Sequence, residues 1–263
     1  MGRSERGQAS VEWSALLLVL ALIFAGLGYA IARTEAWGVG SNVLHALVCA
    51  VGIECDEGDD ALVRAYGAEI ASLVRRYSPN VAYEADSAEL PIDFRRCRKL
   101  ECSNGSDAAT QIDQSSAGLP VTAFTRVVDR RPAGGSVYLQ YWFYYPESFT
   151  AGIGRIFGHR WPGYHADDWE GVQLMVSRNG SVLARATEHG GYTGWQPWKG
   201  WYLVHGGSHA GDVVSGASGE RTTPASELTL TPLERMGGLA GQRFEITPPW
   251  AKAVYRDPES SGS

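Results

Sequence analysis

The chain has few charged residues and no surplus of basic ones. Lysine and arginine number 23 against 29 aspartate and glutamate residues, so the net charge of the 263 residues is −6. General nucleic-acid-binding proteins carry strongly basic surfaces, and the charge balance therefore argues against a nucleic-acid partner. Collagen-like and heptad periodicities are also absent, and a hydrophobic content of 44% excludes a disordered chain.

The commonest zinc motifs are missing too. The chain contains no Cys-x-x-Cys pair and no His-Glu-x-x-His sequence, which argues against a structural zinc site and against a zinc hydrolase. The cysteines number four, at Cys49, Cys55, Cys97 and Cys102. In an oxidising compartment they can form disulfide bonds, and the sequence leaves all three connectivities open.

Glycine and aromatic residues, by contrast, are abundant. The chain has 32 glycines, nine tryptophans and twelve tyrosines, and this glycine content exceeds the usual share of about 7%. Together with short apolar runs between glycine-rich turns, it predicts a mainly β fold, a single-domain β-sandwich. Asn179-Gly180 predicts a type I′ hairpin turn. Strands are expected at 137–145, 169–176, 181–187, 201–204 and 244–246.

An uncharged apolar run predicts an N-terminal transmembrane helix. It covers 20 residues, 13–32, which is long enough to cross the hydrocarbon core of a membrane. Arg3 and Arg6 precede it, and this bias places the N-terminus in the cytoplasm and the rest of the chain outside. The run is longer than the core of a secretory signal, so residues 1–33 are predicted to be a retained single-pass anchor in the cell membrane.

The residues in front of this run resemble the processing site of type IV pilin-like proteins, especially the short Flp/TadE-like group. The sequence reads Arg6-Gly7-Gln8-Ala9-Ser10-Val11-Glu12. The resemblance implies that a prepilin peptidase cuts after Gly7, that Gln8 becomes the new N-terminus, and that Glu12 neutralises the terminal amine of a neighbouring pilus subunit. The alternative is an ordinary signal anchor with a glutamate at the membrane interface.

Residues 34–77 are predicted to be a helical connector that ends in a short amphipathic helix. The aspartates at 59–60 can cap this helix, and Pro79 ends it. Apolar side chains recur at helical spacing and give the helix one apolar face, at Leu62, Val63, Tyr66, Ile70, Leu73, Val74 and Tyr77. The extracytoplasmic β domain is expected to follow at 78–256, with a disordered tail at 257–263.

The densest chemistry lies in the sequence His165-Ala166-Asp167-Asp168-Trp169-Glu170. Asp168 and Glu170 are two residues apart at the start of a strand, so both side chains point to the face that Val172 continues. Two carboxylates at the edge of a hydrophobic interior are unfavourable unless a cation or an arginine balances them. A hard divalent cation, Mg²⁺ or Ca²⁺ rather than Zn²⁺, with oxygen ligands and one imidazole would do so. The alternative is a strand start exposed to solvent.

Three motifs in order along the chain resemble known families. They are Tyr141-Trp142-Phe143-Tyr144-Tyr145-Pro146-Glu147-Ser148, then the sequence from His165 to Val172, then Gly207-Ser208-His209-Ala210. Together they are similar to vacuolar-protein-sorting-related uncharacterised domains over about residues 75–215. More distantly, they resemble necrosis- and ethylene-inducing-like proteins.

The second resemblance implies a β-sandwich with a divalent-cation site. In that family the motif histidine, aspartate and glutamate bind the cation, and they match His165, Asp168 and Glu170. A further acidic ligand follows that family's aromatic-Pro motif by two positions. Ser148 holds that position here, and Glu147, one residue after Pro146, is the expected fourth ligand. His209 and Asp167 are expected beside the site, supporting the ligands without binding the cation.

Three functions stay open at this point. The first, favoured over an enzyme, is a membrane-anchored, surface-exposed binding or effector domain whose cation site recognises a glycan or a lipid headgroup. Trp195, Trp198 and Trp201 lie in loop-like sequence and suit such ligands. The second function is a minor pilin or pilus-assembly component with the β domain as its exposed head. The third is a metal-dependent hydrolase.

Overall fold

The computed structural model describes residues 57–85, 87, 90–95, 119–148, 163–188, 190–235 and 244–260. Apart from 67–69, these residues belong to one compact unit. The predicted anchor, the processing site and all four cysteines lie outside the described residues. Within the described part of the chain, no helix is long and apolar enough to cross a membrane.

The described residues form a mainly β fold. The strands are β1 (Asn80–Tyr83), β2 (Thr122–Asp129), β3 (Val137–Ser148), β4 (His165–Val176), β5 (Val182–Glu188), β6 (Gly191–Tyr192), β7 (Gln196–Pro197), β8 (Trp201–Val204), β9 (Gly211–Val214), β10 (Arg221–Thr223) and β11 (Thr229–Pro232). The α-helices are α1 (Glu57–Arg76) and α2 (Ala253–Arg256). Short 3-10 helices lie at Arg131–Ala133, Ala225–Glu227, Leu233–Arg235 and Pro249–Ala251.

The strands form two sheets. One has four strands in the order β10-β1-β8-β9, and the other has seven, in the order β11-β2-β3-β4-β5-β6 with β7 paired to β5. β1 runs parallel to β8, and β2 runs parallel to β11, whereas β3, β4 and β5 form an antiparallel series. Since two sheets share one core, the arrangement is consistent with a β-sandwich.

Helix α1 forms where the apolar periodicity predicts it. Leu62, Ile70 and Val74 are buried in the main core, so the apolar face of the helix packs as expected from its spacing. Gly67 interrupts the helical backbone with a φ of 77° and a ψ of 161°. This conformation is accessible to glycine because it has no Cβ. The predicted amphipathic helix is confirmed.

The main core lies between the two sheets. All twelve residues of β3 are buried, because the seven-stranded sheet is covered on both faces. Tyr141, Phe143 and Tyr145 project from β3 into the main core, where Tyr83 and Tyr202 come from the four-stranded sheet. The rings of Phe143 and Tyr202 stack with centroids 5.4 Å apart. The prediction that this aromatic segment is a strand buried on both faces is confirmed.

The opposite face of the seven-stranded sheet carries a second aromatic cluster. The C-terminal segment lies against this face and is held by side chains that donate to its backbone carbonyls. Gln140 Nε2 donates to Tyr255 O at 2.8 Å, and Arg185 donates to Ser260 O at 2.9 Å and to Pro258 O at 3.1 Å. Residues 257–260, which the sequence analysis places in a disordered tail, therefore contact the sheet.

Two local predictions need correction. The hairpin at Asn179-Gly180 forms, but among the described non-glycine residues positive φ occurs at Asp167 and His209 alone, so Asn179 lacks the left-handed backbone that a type I′ turn requires. Of the two turn residues, only Gly180, with a φ of 84°, has the left-handed backbone. The strand predicted at 244–246 is absent, because the backbone there is used by the site described below.

Candidate functional site

The acidic residues of β4 lie inside the strand and not at its start. β4 begins at His165 and pairs with β3 throughout. On its other side, the ladder with β5 stops at Val172, while β5 continues to Glu188 and pairs with β6. Asp168 and Glu170 therefore lie beyond the end of the β4–β5 ladder.

Asp168 is hydrogen-bonded to a buried histidine. His209 Nδ1 lies 3.0 Å from Asp168 Oδ2, and the two side chains are 1% and 7% exposed. The other carboxylate oxygen accepts the Trp169 backbone N–H at 3.0 Å. His209, which is expected beside the cation ligands, thus contacts one of the predicted ligands, Asp168.

Tyr145 completes the packing around this pair. It lies directly opposite Asp168 in the β3–β4 ladder, and its ring stacks on the His209 imidazole with centroids 3.9 Å apart and an interplanar angle of 3°. The Tyr145 hydroxyl is buried and has no hydrogen-bond partner among the described residues. A buried hydroxyl without a hydrogen-bond partner costs about 1–3 kcal/mol of folding stability. A ligand that interacts with this oxygen would therefore be favoured here.

The backbone is strained at both ends of the hydrogen bond between Asp168 and His209, at Asp167 next to the aspartate and at the histidine itself. Asp167 has a φ of 64° and His209 a φ of 54°, a region that costs a side chain of order 1 kcal/mol. Asp167 is held there by the Tyr144 hydroxyl and by the Glu245 backbone N–H, each donating at 2.8 Å. The segment predicted to be a strand at 244–246 thus supports the site through its backbone, which explains why it forms no ladder.

Glu170 is linked to β5 by a hydrogen bond from Thr187. The Thr187 hydroxyl accepts the Gly171 backbone N–H at 2.8 Å and donates to the Glu170 carboxylate. Burial, and then the charge of Asp168, raise the pKa of Glu170 well above its ordinary value. Yet the residue keeps part of its surface accessible.

A second tyrosine, Tyr202 of β8, comes from the other sheet. Burial and then the charge of Glu170 raise the pKa of Tyr202 well above its ordinary value. Its ring fits because Gly211 has no side chain: a Cβ there would lie 2.2 Å from the Tyr202 hydroxyl. Glycine is therefore required at 211 by a close approach and not by its backbone angles.

The other predicted cation ligands do not join this pair in an evident ligand set. His165 Nδ1 lies 3.4 Å from Ala166 O, and Glu147 is buried at 1% exposure. Across the part of the chain that the structure describes, no three His, Cys, Asp or Glu side chains are arranged to hold a metal ion. The oxygen atoms of Asp168, Glu170 and Tyr145 are nevertheless of the kind that hard cations prefer.

Three tryptophans are predicted to be exposed on loops, and all three are half-buried: Trp195, Trp198 and Trp201. Trp195 packs against the Arg185 guanidinium, 4.4 Å from its ring centroid, and Trp198 packs on the main core. Trp201 belongs to β8. A groove of about 680 Å³ lies nearby, lined by residues 196–199 and by 213–218 with the exception of Trp198. It lies away from the carboxylates.

His209 and Asp167 are expected beside the acidic residues, whereas Tyr202 and Thr187 are not. Asp168 and Glu170 share a face, as the two-residue spacing predicts. Tyr202 and Thr187 come from other strands, and nothing in their local sequence marks them. The positive φ of His209 has no sequence signal either, since glycine or asparagine is the usual residue there.

No protein-family model, curated protein or solved structure matches this chain. Its class is therefore described from the fold and the site alone. It is a mainly β domain of two sheets, in which Asp168 and Glu170 lie on one strand and Asp168 is hydrogen-bonded to His209. Its resemblance to pilin-like signals and to necrosis-inducing-like proteins stays a prediction that rests on the motifs of the sequence.

Proposed function

We propose that this protein is a membrane-anchored, extracytoplasmic β-sandwich domain that binds a divalent cation at Asp168 and Glu170 and, through it, a glycan or a lipid headgroup. The observation that carries the proposal is the pair of like-charged carboxyls on one face of β4, inside the space between the sheets. Among the described residues, the imidazole of His209 is hydrogen-bonded to Asp168.

A second negative charge beside Asp168 would have to be compensated, and this requirement is the argument for a cation ligand. An uncompensated negative charge on Glu170 beside Asp168 is avoided if Glu170 stays protonated. It is also avoided if the two residues bind a cation. The raised pKa of Glu170 corresponds to the first solution. A cation and this proton therefore compete, and we expect cation affinity to increase as pH rises.

The donor atoms favour Mg²⁺ or Ca²⁺. Carboxylates and a hydroxyl are hard oxygen ligands, and the Tyr145 hydroxyl is available for a new partner among the described residues. When bound, the cation would supply positive charge at Asp168 and Glu170. This charge would attract anionic headgroups and sugar hydroxyls. The stacked Tyr145 and His209 rings would hold Asp168 in a fixed orientation beside it.

The test is a cation titration of the chelator-treated full chain in detergent by isothermal titration calorimetry, with Mg²⁺, Ca²⁺, Mn²⁺ and Zn²⁺ as separate titrants. We expect saturable binding that Asp168→Asn and Glu170→Gln each weaken at least tenfold. Glu227→Gln, at an exposed position, is the matched control and leaves binding unchanged. Equal affinity in all four proteins, or no binding to any titrant, would refute the cation site.

The ligand class is tested in a second step. Vesicles with anionic or zwitterionic headgroups and immobilised glycans are offered to the protein with the cation or with chelator. Binding that requires the cation supports the proposal. Cation binding without any cation-dependent ligand would leave the cation site in place and refute its role in recognition.

A hydrolase is the second candidate, favoured by the Asp168–His209 hydrogen bond. A carboxylate that fixes the tautomer of a histidine is a recurring part of general-base catalysis. Chromogenic phosphoesters and glycosides test it directly. Turnover that His209→Gln abolishes would replace the binding function by an enzymatic one.

A further inference from the structure

The loop at 205–210 brings His209 to Asp168. It joins β8 to β9, and its base is closed by the His205 backbone N–H, which donates to Ala210 O at 2.9 Å. At its tip, the Ser208 N–H donates to Gly206 O at 2.8 Å. The position of His209 therefore depends on how this loop is held.

A histidine between two carboxylates holds the base of the loop. Nδ1 of His205 lies 3.0 Å from Glu84 Oε1, and Nε2 lies 3.1 Å from Asp212 Oδ2. The second oxygen of Glu84 accepts the Gly206 backbone N–H at 3.2 Å. One side chain, His205, thus connects the end of β1, the loop and β9.

Both contacts are complete only when the imidazole is charged. A neutral imidazole has one N–H, so it can donate to one carboxylate and must face the other with a lone pair. Burial alone would lower the pKa of His205, but its hydrogen bonds to Asp212 and Glu84 and the charges of both outweigh this and raise the pKa above its ordinary value. Among the described residues, these two carboxylates form the ion pairs with the ring, one after β1 and one on β9.

We propose that His205 is a positioning residue, whose charged imidazole locks the loop 205–210 in the conformation that presents His209 to Asp168. Deprotonation removes one of the two N–H donors, loosens the loop and frees His209. The link to ligand binding rests on the proposed function, but the lock itself depends on Glu84, His205 and Asp212 alone. It makes the site responsive to pH from a distance.

The direction of the effect follows from linkage. Because the folded pKa of His205 lies above the unfolded one, the lock is fully present below the unfolded pKa. It is lost as pH rises through the folded pKa. The loop is therefore more ordered below the titration of His205 than above it.

Hydrogen–deuterium exchange of the full chain in detergent, without added cation, tests this lock separately from cation binding. Protection factors are measured from about pH 5.5 to about pH 8.5, which brackets a histidine titration, after correction for intrinsic exchange rates. We expect the amides at 205–211 to lose about two- to fivefold in protection, the range that half-exposed ion pairs support. The hairpin turn at 177–181 is the internal reference and stays constant.

Two variants decide the assignment to His205. His205→Gln cannot titrate, so its protection at 205–211 no longer changes with pH, whereas Glu227→Gln behaves like wild type. Should His205→Gln fail to fold, Asp212→Asn removes one of the carboxylates that raise the pKa, and the midpoint moves to lower pH. A flat wild-type profile, a pH dependence that survives in His205→Gln, or an unmoved midpoint in Asp212→Asn would overturn the proposal.

Discussion

Glu170→Gln is expected to stabilise the cation-free protein, and to do so more strongly as pH rises. Glutamine keeps an oxygen that can accept the hydrogen bond from Thr187 but carries no charge beside Asp168. It therefore imitates the protonated carboxyl that burial and Asp168 favour. The substitution removes a charge that the fold has to tolerate and changes little of the volume.

The magnitude follows from a single proton. In the unfolded chain Glu170 titrates near its ordinary pKa of 4.5, and in the folded protein the pKa lies well above this value, because of burial and then Asp168. Between the two values the folded protein holds a proton that the unfolded chain has released. The free energy of unfolding of wild type then falls by about 1.4 kcal/mol per pH unit relative to the variant. Below both values this difference disappears.

Thermal unfolding of the full chain in chelator measures this difference. For a domain of this size, about 1 kcal/mol shifts the melting temperature by roughly 2–4 °C, so the gap between variant and wild type widens measurably from about pH 5 upward. Glu227→Gln serves as the control without a pH-dependent gap. A variant that is less stable than wild type by the same amount at every pH would refute the reasoning, since the carboxylate would then be favourable in the fold.

Two further predictions concern packing and processing. Gly211→Ala lowers the melting temperature, because its Cβ would lie 2.2 Å from the Tyr202 hydroxyl and overpacking costs about 1–3 kcal/mol. Gly216→Ala, whose Cβ meets nothing within 4 Å, is the matched control, and equal losses would contradict the close approach. Mass spectrometry of the mature protein is expected to find an N-terminus at Gln8, whereas an intact Met1 would refute pilin-type processing.

Local patterns in the sequence predicted much of the secondary structure near the site. The periodicity of Leu62, Ile70 and Val74 predicts α1, and the apolar run after Val137 predicts β3. Both succeed because a helix or a fully buried strand is encoded in spacing over a few residues. The strand expected at 244–246 fails for the complementary reason: its backbone is committed to Asp167, a distant residue.

The sequence alone also determined that Asp168 and Glu170 share one face, since the side-chain period of a strand is two. The surroundings of the two acids were decided by tertiary structure. His209 reaches Asp168 across 41 residues of sequence, Tyr202 arrives from the other sheet, and the β4–β5 ladder ends before it reaches Glu170. Which strands pair and where a ladder ends depend on long-range packing, and spacing within a single segment carries no record of that.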